Sequence, residues 1–468
     1  LRGKQPDGSS QAQQRQEEEG GSPAQQQEQQ EEDCSPKQQQ DAQPQKTKKK
    51  RSQASEGTEA DILLTSYNVF RVDVERFMQG QQFSCMVLDE AQQIKNYNSM
   101  ASKAVKRFAE TVGTMRVALS GTPVENKLAD LNSLFEFILP GYLASSRAEF
   151  ERDFGKPLQA AVKAGGAARE QAAEKQRLLQ KMVQPFTLRR LKTDPAIAID
   201  LPPKVEQTHE CELSDEQTSL YKAVQEWGLQ NAAEAGAAFA RHGRVLSMLH
   251  ALREVCNHPA CLADKRRPEG YEANNLLPSN IDASGKCAKL QELLEGILGN
   301  GEKVIIFTGY LGTIDLLATQ IEQSYNYKTL RIVGAMDKAA REETVEKFQN
   351  DPEYPVLLLS LQAGGVGITL TAATHVVHFD RCYNPAKEKQ ATDRAHRIGQ
   401  TKTVFVHRLQ TKDTFEVRLA EIMAQKQELS DLTMEAGEGW IADLDDGELR
   451  ELFSLSSDGR SGKRRRTT

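Results

Sequence analysis

Aromatic side chains are missing from the start of this 468-residue chain, whose first aromatic residue is Tyr67. Glutamine instead supplies 15 of the first 45 residues. Such a segment cannot bury enough apolar surface to offset the entropy lost on ordering, so we predict that residues 1–60 form a disordered segment rich in Gln and Glu. Two interpretations of its basic run, Lys46 to Arg51, stay open: a nuclear-targeting or DNA-tethering arm, and a solvated block of charge.

A disulfide framework is also missing, because the seven cysteines are odd in number and scattered. This favours a reducing compartment. The chain begins at Leu1 without a charged segment and apolar core of the signal-peptide kind, and we expect it to be a fragment. The uncharged stretch from Tyr354 to Phe379 has the length of a membrane span. Its glycines and histidines favour two buried strands joined by a glycine-rich loop, so we predict no membrane span.

Neither sign of charge dominates, since 60 Lys and Arg face 66 Asp and Glu for a net charge of −6. This excludes a uniformly basic coat for nucleic acid, but a local basic groove remains compatible with it. The 38% apolar and 27% charged residues exclude a fibrous or collagenous protein. At ~150 residues per domain, the length allows about three domains.

Apolar strands alternate with helical segments in two blocks of the chain, which is typical of α/β architecture. We predict strands at 61–65, 84–88, 116–119, 304–307, 355–359, 375–379 and 404–406. The region from about 145 to 260 has helical character instead. The predicted domains are the disordered segment 1–60, a first α/β block 61–145, helical insertions and a linker 146–283, a second α/β block 284–430, and an acidic then basic tail 431–468.

Two adjacent carboxylates, Asp89 and Glu90, follow the predicted strand that ends at Leu88. The carboxyl edge of a parallel sheet is where α/β proteins bind ligands. One carboxylate there can hold Mg²⁺, and its neighbour can orient or deprotonate a water for attack on a phosphate. An ordinary exposed Asp-Glu pair is the alternative for this dipeptide taken alone.

The residues around this pair carry a resemblance to a known family. Asp-Glu-Ala-Gln-Gln-Ile-Lys-Asn at 89–96 and Leu-Ser-Gly-Thr-Pro-Val-Glu-Asn at 119–126 resemble motifs II and III of superfamily-two helicase-like ATPases, and more narrowly those of the SWI/SNF family of DNA translocases. Residues 359–367 and 390–400 resemble its motifs V and VI. Further phrases similar to the family lie at 63–67, 188–194, 201–204, 252–259 and 284–290, so that the resemblance covers roughly 61–430 in the family's order.

The resemblance implies an α/β fold of two RecA-like parallel-sheet lobes, the first of them truncated, with helical insertions between the lobes. It implies an enzyme, a DNA-dependent ATPase that uses ATP and Mg²⁺ in the cleft between the lobes. The function implied is ATP-dependent translocation along double-stranded DNA, which remodels chromatin or displaces DNA-bound proteins. Nucleosomes or other DNA-bound proteins are then expected partners, and the nucleus, or the nucleoid of a bacterium, the expected location.

The resemblance also implies roles for single residues. Glu90 would activate the attacking water, and Arg394 and Arg397 would act as arginine fingers. The residues implied at the nucleotide are Asp89 as the Mg²⁺ ligand, Gly365, Gly367 and Gln390. Those implied at DNA or in coupling it to the nucleotide are Thr65, Ser66, Lys95, Asn96, Thr122 and Asn126. The spacing of Gln390, Arg394, Arg397 and Gln400 predicts one helical face and its exit loop, with a solvated helix face as the alternative.

The main departure from the family is an absence, because no Gly-x-x-x-x-Gly-Lys-Ser/Thr occurs in the sequence. Without that loop the β- and γ-phosphates have no cradle. We expect the loop upstream of Leu1, and we expect the chain as printed to be unable to hydrolyse ATP. A catalytically inactive scaffold that binds DNA or partners is therefore an alternative function. A strand-separating helicase is a second one, which the phrases Ser-Gly-Thr-Pro and Arg-Ile-Gly-Gln disfavour.

Smaller departures are Gln92 in place of a common His, Gln362 in place of a Lys or Arg, and Tyr383 in place of a Trp. One group of four residues could be arranged as a zinc site. Its four residues are His250, Cys256, His258 and Cys261, whose spacing fits no standard zinc finger. We therefore expect no structural zinc.

Overall fold

The computed structural model describes residues 62–78, 83–111, 115–121, 128–158, 167–190, 192, 201–236, 238–268, 280–363, 367–382, 384–429, 441 and 444–455. The chain divides into the units Leu1–Leu63 and Leu64–Thr468, and the elements below belong to the second unit. The predicted disordered segment 1–60 and the basic end of the tail lie outside the described residues.

The first α/β block has a two-stranded parallel sheet, in which β1 (Cys85–Leu88) pairs with β2 (Met115–Ala118). Three helices pack on it: α1 (Tyr67–Met78), α2 (Met100–Ala109) and α3 (Leu128–Ile138). Their apolar positions enclose one core, which includes Phe70, Leu88, Ile94, Phe108 and Phe137. Both predicted strands are therefore confirmed to within a residue.

The predicted strand at 61–65 is wrong for the residues that the structure describes there. Residues 62–65 have no regular secondary structure, and Ile62 and Leu64 are 85% and 94% exposed. A strand needs a partner edge for its backbone hydrogen bonds, and β1 and β2 pair only with each other in the described sheet. Apolar character alone therefore did not create a strand at this position.

The second α/β block has a six-stranded, all-parallel sheet in the order β3-β8-β7-β4-β6-β5. Its strands are β3 (Lys204–Cys211), β4 (Val304–Thr308), β5 (Leu330–Ile332), β6 (Val356–Ser360), β7 (His375–His378) and β8 (Val404–Thr411). Every residue of β4, β6 and β7 is buried, because helices cover both faces of a parallel sheet. The uncharged stretch 354–379 thus contributes β6 and β7, and no described helix is long and apolar enough to cross a bilayer.

Alternate residues of these strands enter two cores, one on each face of the sheet. Val304 and Ile306 of β4 pack with α8 (Gly285–Gly299) and α9 (Leu311–Tyr325). Ile305 and Phe307 face the opposite core, which contains Phe348 of α10 (Lys338–Asn350) and Ala391 of α11 (Pro385–Thr392). Helix α11 is the element that carries the predicted arginines just beyond its end.

The region predicted as helical insertions is not wholly helical. It contains α4 (Arg147–Phe150), continued by a π-turn to Gly155, and α5 (Ala167–Val183). It also contains β3, which pairs along its whole length with β8, so the second sheet begins upstream of the predicted boundary at residue 284. The sequence gives no apolar signal for β3, because it is an edge strand in which most side chains are polar and exposed.

Four helices form a separate apolar cluster beside the second sheet. They are α6 (Asp215–Ala233), α7 (Ala238–Asn257), α12 (Phe415–Leu429) and α13 (Asp446–Phe453). The hydroxyl of Tyr221 on α6 donates to the carbonyl of Phe453 at 2.9 Å. Part of the predicted tail therefore packs into a core, and the basic end of the tail lies outside the described residues.

A buried ion pair and a hydrogen bond join helices α7, α8 and α12. Lys286 Nζ of α8 lies 2.7 Å from Glu416 Oε1 of α12 and 3.3 Å from Asn257 Oδ1 of α7, and both charged side chains are at most 1% exposed. Burial is the largest cause and would lower the pKa of Lys286, but the charge and hydrogen bond of Glu416, together with the charges of Cys256 and Asp380, raise that pKa above its ordinary value. Lys286 is therefore protonated in the folded protein.

Replacing Lys286 with Met should lower the free energy of unfolding by about 3–5 kcal/mol, because the Glu416 carboxylate would stay buried without its partner. Urea denaturation of the whole chain measures this change. The matched control is Lys289→Met, which breaks a surface pair with Glu292 and should cost less than about 1 kcal/mol. The double variant K286M/E416M should recover most of the loss, and equal effects of K286M and K289M would contradict the interpretation.

Candidate active site

The two predicted carboxylates lie immediately beyond the carboxyl end of β1, and both are exposed. Glu90 has φ 50° and ψ 49°, in the left-handed region that a non-glycine residue rarely adopts. The chain then enters a short 3₁₀ helix, Ala91–Ile94, whose Ala91 N donates to Leu119 O at 2.8 Å. Such backbone outliers cluster at functional sites, because the surrounding structure must hold them.

The side chain of Tyr67 on α1 binds the turn that carries Asp89 and Glu90. Its hydroxyl donates to the Asp89 carbonyl at 2.8 Å, and Glu90 N donates to Asp89 Oδ1 at 3.0 Å. Burial, followed by the negative charges of Asp89 and Glu90, raises the pKa of Tyr67 to about 12. Tyr67 therefore stays protonated and keeps donating at any physiological pH. It was not predicted as a site residue, because a role for it depends on the path of α1.

Gln92 connects the predicted motifs II and III. Its side-chain Nε2 donates to Glu90 Oε2, and its Oε1 accepts from the Ser120 hydroxyl at 2.8 Å. The amide thus restrains the Glu90 carboxylate and links it to the end of β2. In the sequence, Gln92 is recognisable only as a departure from the family, and Ser120 only as part of the motif III phrase.

The predicted arginine segment begins with a well-capped helix. Asn384 Oδ1 accepts from Ala386 N at 3.1 Å and from Lys387 N at 3.3 Å, and Pro385 occupies the first turn of α11. Because α11 ends at Thr392, Arg394 and Arg397 lie in the turns that follow it. Of the predicted helical face and its exit loop, Gln390 lies in the helix, and Arg394, Arg397 and Gln400 lie in the segment that follows it.

The four residues of that predicted face have different environments. Gln400 is 4% exposed, and its Nε2 donates to Ala373 O at 2.9 Å and to Thr371 O at 3.0 Å. The Gln400 side chain therefore binds its own segment to the loop at Thr371 and Ala373. Gln390 is half-buried, Arg397 is exposed, and Arg394 is 6% exposed.

Arg394 and Glu90 act on each other although they belong to different blocks. Burial, followed by the positive charge of Arg397, lowers the pKa of Arg394, and the charges of Glu90 and Asp393 oppose that shift. The Arg394 carbonyl accepts from Leu370 N at 2.9 Å, which ties the turn to the segment after motif V. The negative charge of the motif II carboxylate therefore favours the protonated form of the motif VI guanidinium.

The other predicted residues are distributed as follows. Thr65 and Ser66 are exposed just before α1, and Asn96 is exposed and Lys95 half-buried just after the 3₁₀ helix. Gly367 is exposed, and a Cβ added to it would have no atom within 4 Å. Thr122, Asn126, Gly365 and Tyr383 lie outside the described residues.

The donor set at Asp89 and Glu90 fits a magnesium ion that is shared with phosphate. Mg²⁺ is usually held by one or two carboxylates, with waters and phosphate oxygens completing its shell. The two exposed carboxylates meet that requirement. Within the described part of the chain, no group of three or more His, Cys, Asp or Glu side chains could hold a metal by itself.

The four residues of the candidate zinc site have other contacts. His258 Nδ1 accepts from Ala260 N at 3.0 Å, and its Nε2 lies 2.9 Å from Asn280 O. His250 Nδ1 lies 3.0 Å from the Tyr310 hydroxyl. Cys256 is fully buried in the four-helix cluster, and burial raises the pKa of Cys261 to about 12.

Comparison with known proteins gives two family matches. Residues 25–261 match the SNF2-related domain, and residues 285–399 match the helicase conserved C-terminal domain. Among curated relatives, YwqA of Bacillus subtilis, named as an ATP-dependent helicase/translocase, is 37% identical over 406 residues, or 86% of this chain. Human TATA-binding protein-associated factor 172 is 33% identical over 440 residues, which also cover 86% of this chain. The chain spans 41% of the length of the first relative and 23% of the second.

Solved structures give a likeness of the same kind. The SWI2/SNF2 ATPase core domain of Sulfolobus solfataricus is 36% identical, with a TM-score of 0.47, covering 84% of this chain and 75% of that one. The same core in complex with double-stranded DNA is 35% identical, with a TM-score of 0.46, covering 84% and 77%.

The electrostatic interaction between Glu90 and Arg394 can be tested by a double-mutant cycle. The single variants Glu90→Gln and Arg394→Gln and their combination should show a favourable coupling of about 0.5–2 kcal/mol in the free energy of unfolding. Urea denaturation at low and high salt measures it, and salt should weaken the coupling. Glu90→Gln combined with Arg331→Gln, whose guanidinium pairs with Asp315, should give additive effects. Additivity in the first cycle as well would show that the two residues do not interact.

Proposed function

The chain belongs to the SNF2-related family of superfamily-two helicase-like ATPases, and from that membership we propose that it is part of a DNA-dependent ATPase that translocates along double-stranded DNA. The proposed outcome is displacement of DNA-bound proteins or remodelling of chromatin. The observation that carries the proposal is the exposed pair Asp89 and Glu90 beyond β1, whose Glu90 carboxylate is restrained by Gln92 and whose charge acts on the buried Arg394 of the other block. Phosphate hydrolysis between two lobes needs a base from one and a cation from the other.

Each of these side chains has a proposed task. Glu90 orients the attacking water and accepts its proton, while Gln92 restrains the Glu90 carboxylate. Asp89 would hold Mg²⁺ through its hydration shell, and the ion would neutralise phosphate charge. The substrate is ATP, whose terminal phosphorus the water attacks while the bond to the departing ADP breaks. Arg394 neutralises negative charge that develops at the terminal phosphate, and its burial strengthens that interaction because water screens it less. Arg397, Gly367 and Gln390 border the same site in this proposal.

The proposed DNA contacts adjoin, along the chain, the elements that form the turn of Asp89 and Glu90. Thr65 and Ser66 precede α1, whose Tyr67 binds the Asp89 carbonyl, and Lys95 and Asn96 follow the helix that starts after Glu90. Hydroxyl, amide and ammonium groups of this kind bind phosphates, which carry no sequence information. We propose binding to duplex DNA without sequence preference, with nucleosomes and other DNA-bound proteins as what it acts on, in the nucleus or in a bacterial nucleoid.

A scaffold without ATP turnover is the second candidate function for the chain as printed. The observation in its favour is the absence of Gly-x-x-x-x-Gly-Lys-Ser/Thr from the 468 residues, since the phosphates then have no backbone cradle. In this alternative, DNA binding persists and hydrolysis does not. The two candidates therefore differ in ATPase activity rather than in DNA affinity.

Adding the coding sequence upstream of Leu1, up to and including a Gly-Lys-Thr loop, should give an ATPase that duplex DNA stimulates. Glu90→Gln should then reduce kcat by at least about 100-fold, because the amide cannot accept the proton. Phosphate release measures the rate, and Glu75→Gln, which alters an exposed pair with Arg107, is the matched control. Retention of most activity by E90Q would exclude the proposed base, and turnover by the printed chain alone would exclude the need for the missing loop.

Lys95→Gln should weaken binding to duplexes of unrelated sequence by the same factor. If Lys95 binds one phosphate, the slope of log affinity against log salt should fall by about 1. Fluorescence anisotropy with labelled duplexes measures both quantities. Lys103→Gln, which removes an exposed lysine of α2 outside the motif, should leave them unchanged, and an equal effect of both variants would contradict a specific track at Lys95.

A further inference from the structure

A lysine that is distant in sequence binds the turn that carries the two arginines. Lys192 Nζ lies 3.0 Å from Asp393 Oδ1 and donates to the His396 carbonyl at 2.9 Å. One ammonium group therefore binds a charged and a neutral acceptor on either side of Arg394. In sequence, Lys192 lies in the connection between α5 and β3, far from the turn that it binds.

A second residue of the same connection binds the same turn. The Nε2–H of His396 donates to the Pro202 carbonyl at 2.9 Å, and His396 is 9% exposed. The next carbonyl, that of Pro203, accepts from Val404 N at 3.1 Å, where β3 starts to pair with β8. The Pro202 end of the connection is therefore fixed to the sheet, and Lys192 precedes it in the sequence.

The turn itself has little regular structure to hold it. Helix α11 has ended at Thr392, and the amides of Arg394 and Ala395 donate back to Ala391 and Thr392 at 3.1 Å each. Arg397 N donates only to Ala395 O, also at 3.1 Å. Short turns of this kind open more readily than helices, unless other groups fix them.

We propose that Lys192 is a positioning residue, which holds the turn of Arg394 and Arg397 to the connection between the two α/β blocks. What the arginines do rests on the proposed function, whereas the hold on the turn does not. The side-chain ammonium suits this task, because it is a compact charge with three donors that can bind two acceptors at once.

The proposal differs from an ordinary surface ion pair in what its loss would change. Lys192 and Asp393 are 38% and 27% exposed, and most pairs of that exposure contribute little to global stability. A positioning role predicts a local effect in residues 394–397 without a change in the midpoint of unfolding. A role in global stability alone predicts a lower midpoint of unfolding and no increase in exchange confined to residues 394–397.

Hydrogen–deuterium exchange of the 468-residue chain, followed by mass spectrometry without nucleotide or DNA, tests this proposal. In Lys192→Gln, we expect exchange of the amides of residues 394–397 to become about fivefold faster, because an ion pair and a charge-assisted hydrogen bond are lost together. Exchange in β4 and β6 should not change. Lys192→Arg should stay within about twofold of the parent, because it keeps the charge and the donors.

Two further variants make the outcome decisive. Asp393→Asn removes the acceptor instead of the donor and should speed exchange in the same amides. Lys347→Gln breaks an exposed pair with Glu343 on α10, whose atoms are 2.7 Å apart, and should leave them unchanged. Unchanged exchange in K192Q, a uniform increase over the whole chain, or an equal effect of K347Q would overturn the proposal. Because no ATP is involved, failure of the proposed ATPase activity would leave this result interpretable.

Discussion

The buried pair of Lys286 and Glu416 is the constraint on which the second block depends. Two charges cannot leave water unless each has its partner and its remaining hydrogen bonds, and here Thr411 N donates to Glu416 Oε2 at 2.7 Å. Asn257, bound to Lys286, also donates to the buried Asp380 at 3.1 Å, and Gly309 N donates to the same carboxylate. The positions of α7, α8 and α12 are thereby fixed relative to the ends of β4 and β7. Asp380 comes just before the helix that leads to the arginines, so this network also fixes where that helix starts.

Parallel strands impose the second constraint, because all their carboxyl ends meet at one edge of a sheet. In the first block that edge presents Asp89 and Glu90, and in the second it leads through Asp380 into α11 and the turn of Arg394. The first block therefore presents two carboxylates at the carboxyl edge of its sheet, and the second block presents the Arg394 guanidinium beyond the carboxyl edge of its own sheet. Arg394 is buried where a guanidinium would be costly without an anion, and Glu90 supplies one. The same place would accept the negative charge of a phosphate.

How far the sequence predicts this structure depends on how much of each element is buried. Strands β4 and β6 are buried on both faces and read as continuous apolar runs, so they were predicted to within a residue. Strand β3 lies at the edge and carries polar side chains, so nothing in its composition revealed it. Its His209 Nε2 lies 3.0 Å from His407 Nδ1 of β8, and His407 Nε2 lies 3.0 Å from His375 Nδ1 of β7. That row of imidazoles depends on strand order and register, neither of which one sequence contains. The motifs located Asp89, Glu90 and Arg394, but the supporting contacts of Tyr67 and Ser120 needed the fold.

Spacing grouped Gln390, Arg394, Arg397 and Gln400 together, and the chemistry of the side chains separates them. A glutamine amide both donates and accepts, so Gln400 can satisfy the carbonyls of Thr371 and Ala373 and the amide of Thr401 while buried. A guanidinium only donates and always carries its charge. A buried arginine therefore needs carbonyls or an anion, and the anion that acts on Arg394 across the two blocks is Glu90. Residues at helical spacing thus differ in role: Gln400 binds the carbonyls of a neighbouring loop, and Arg394 carries a charge on which the carboxylate of the other block acts. The second is the one suited to meet a phosphate, because the same electrostatic attraction would apply to it.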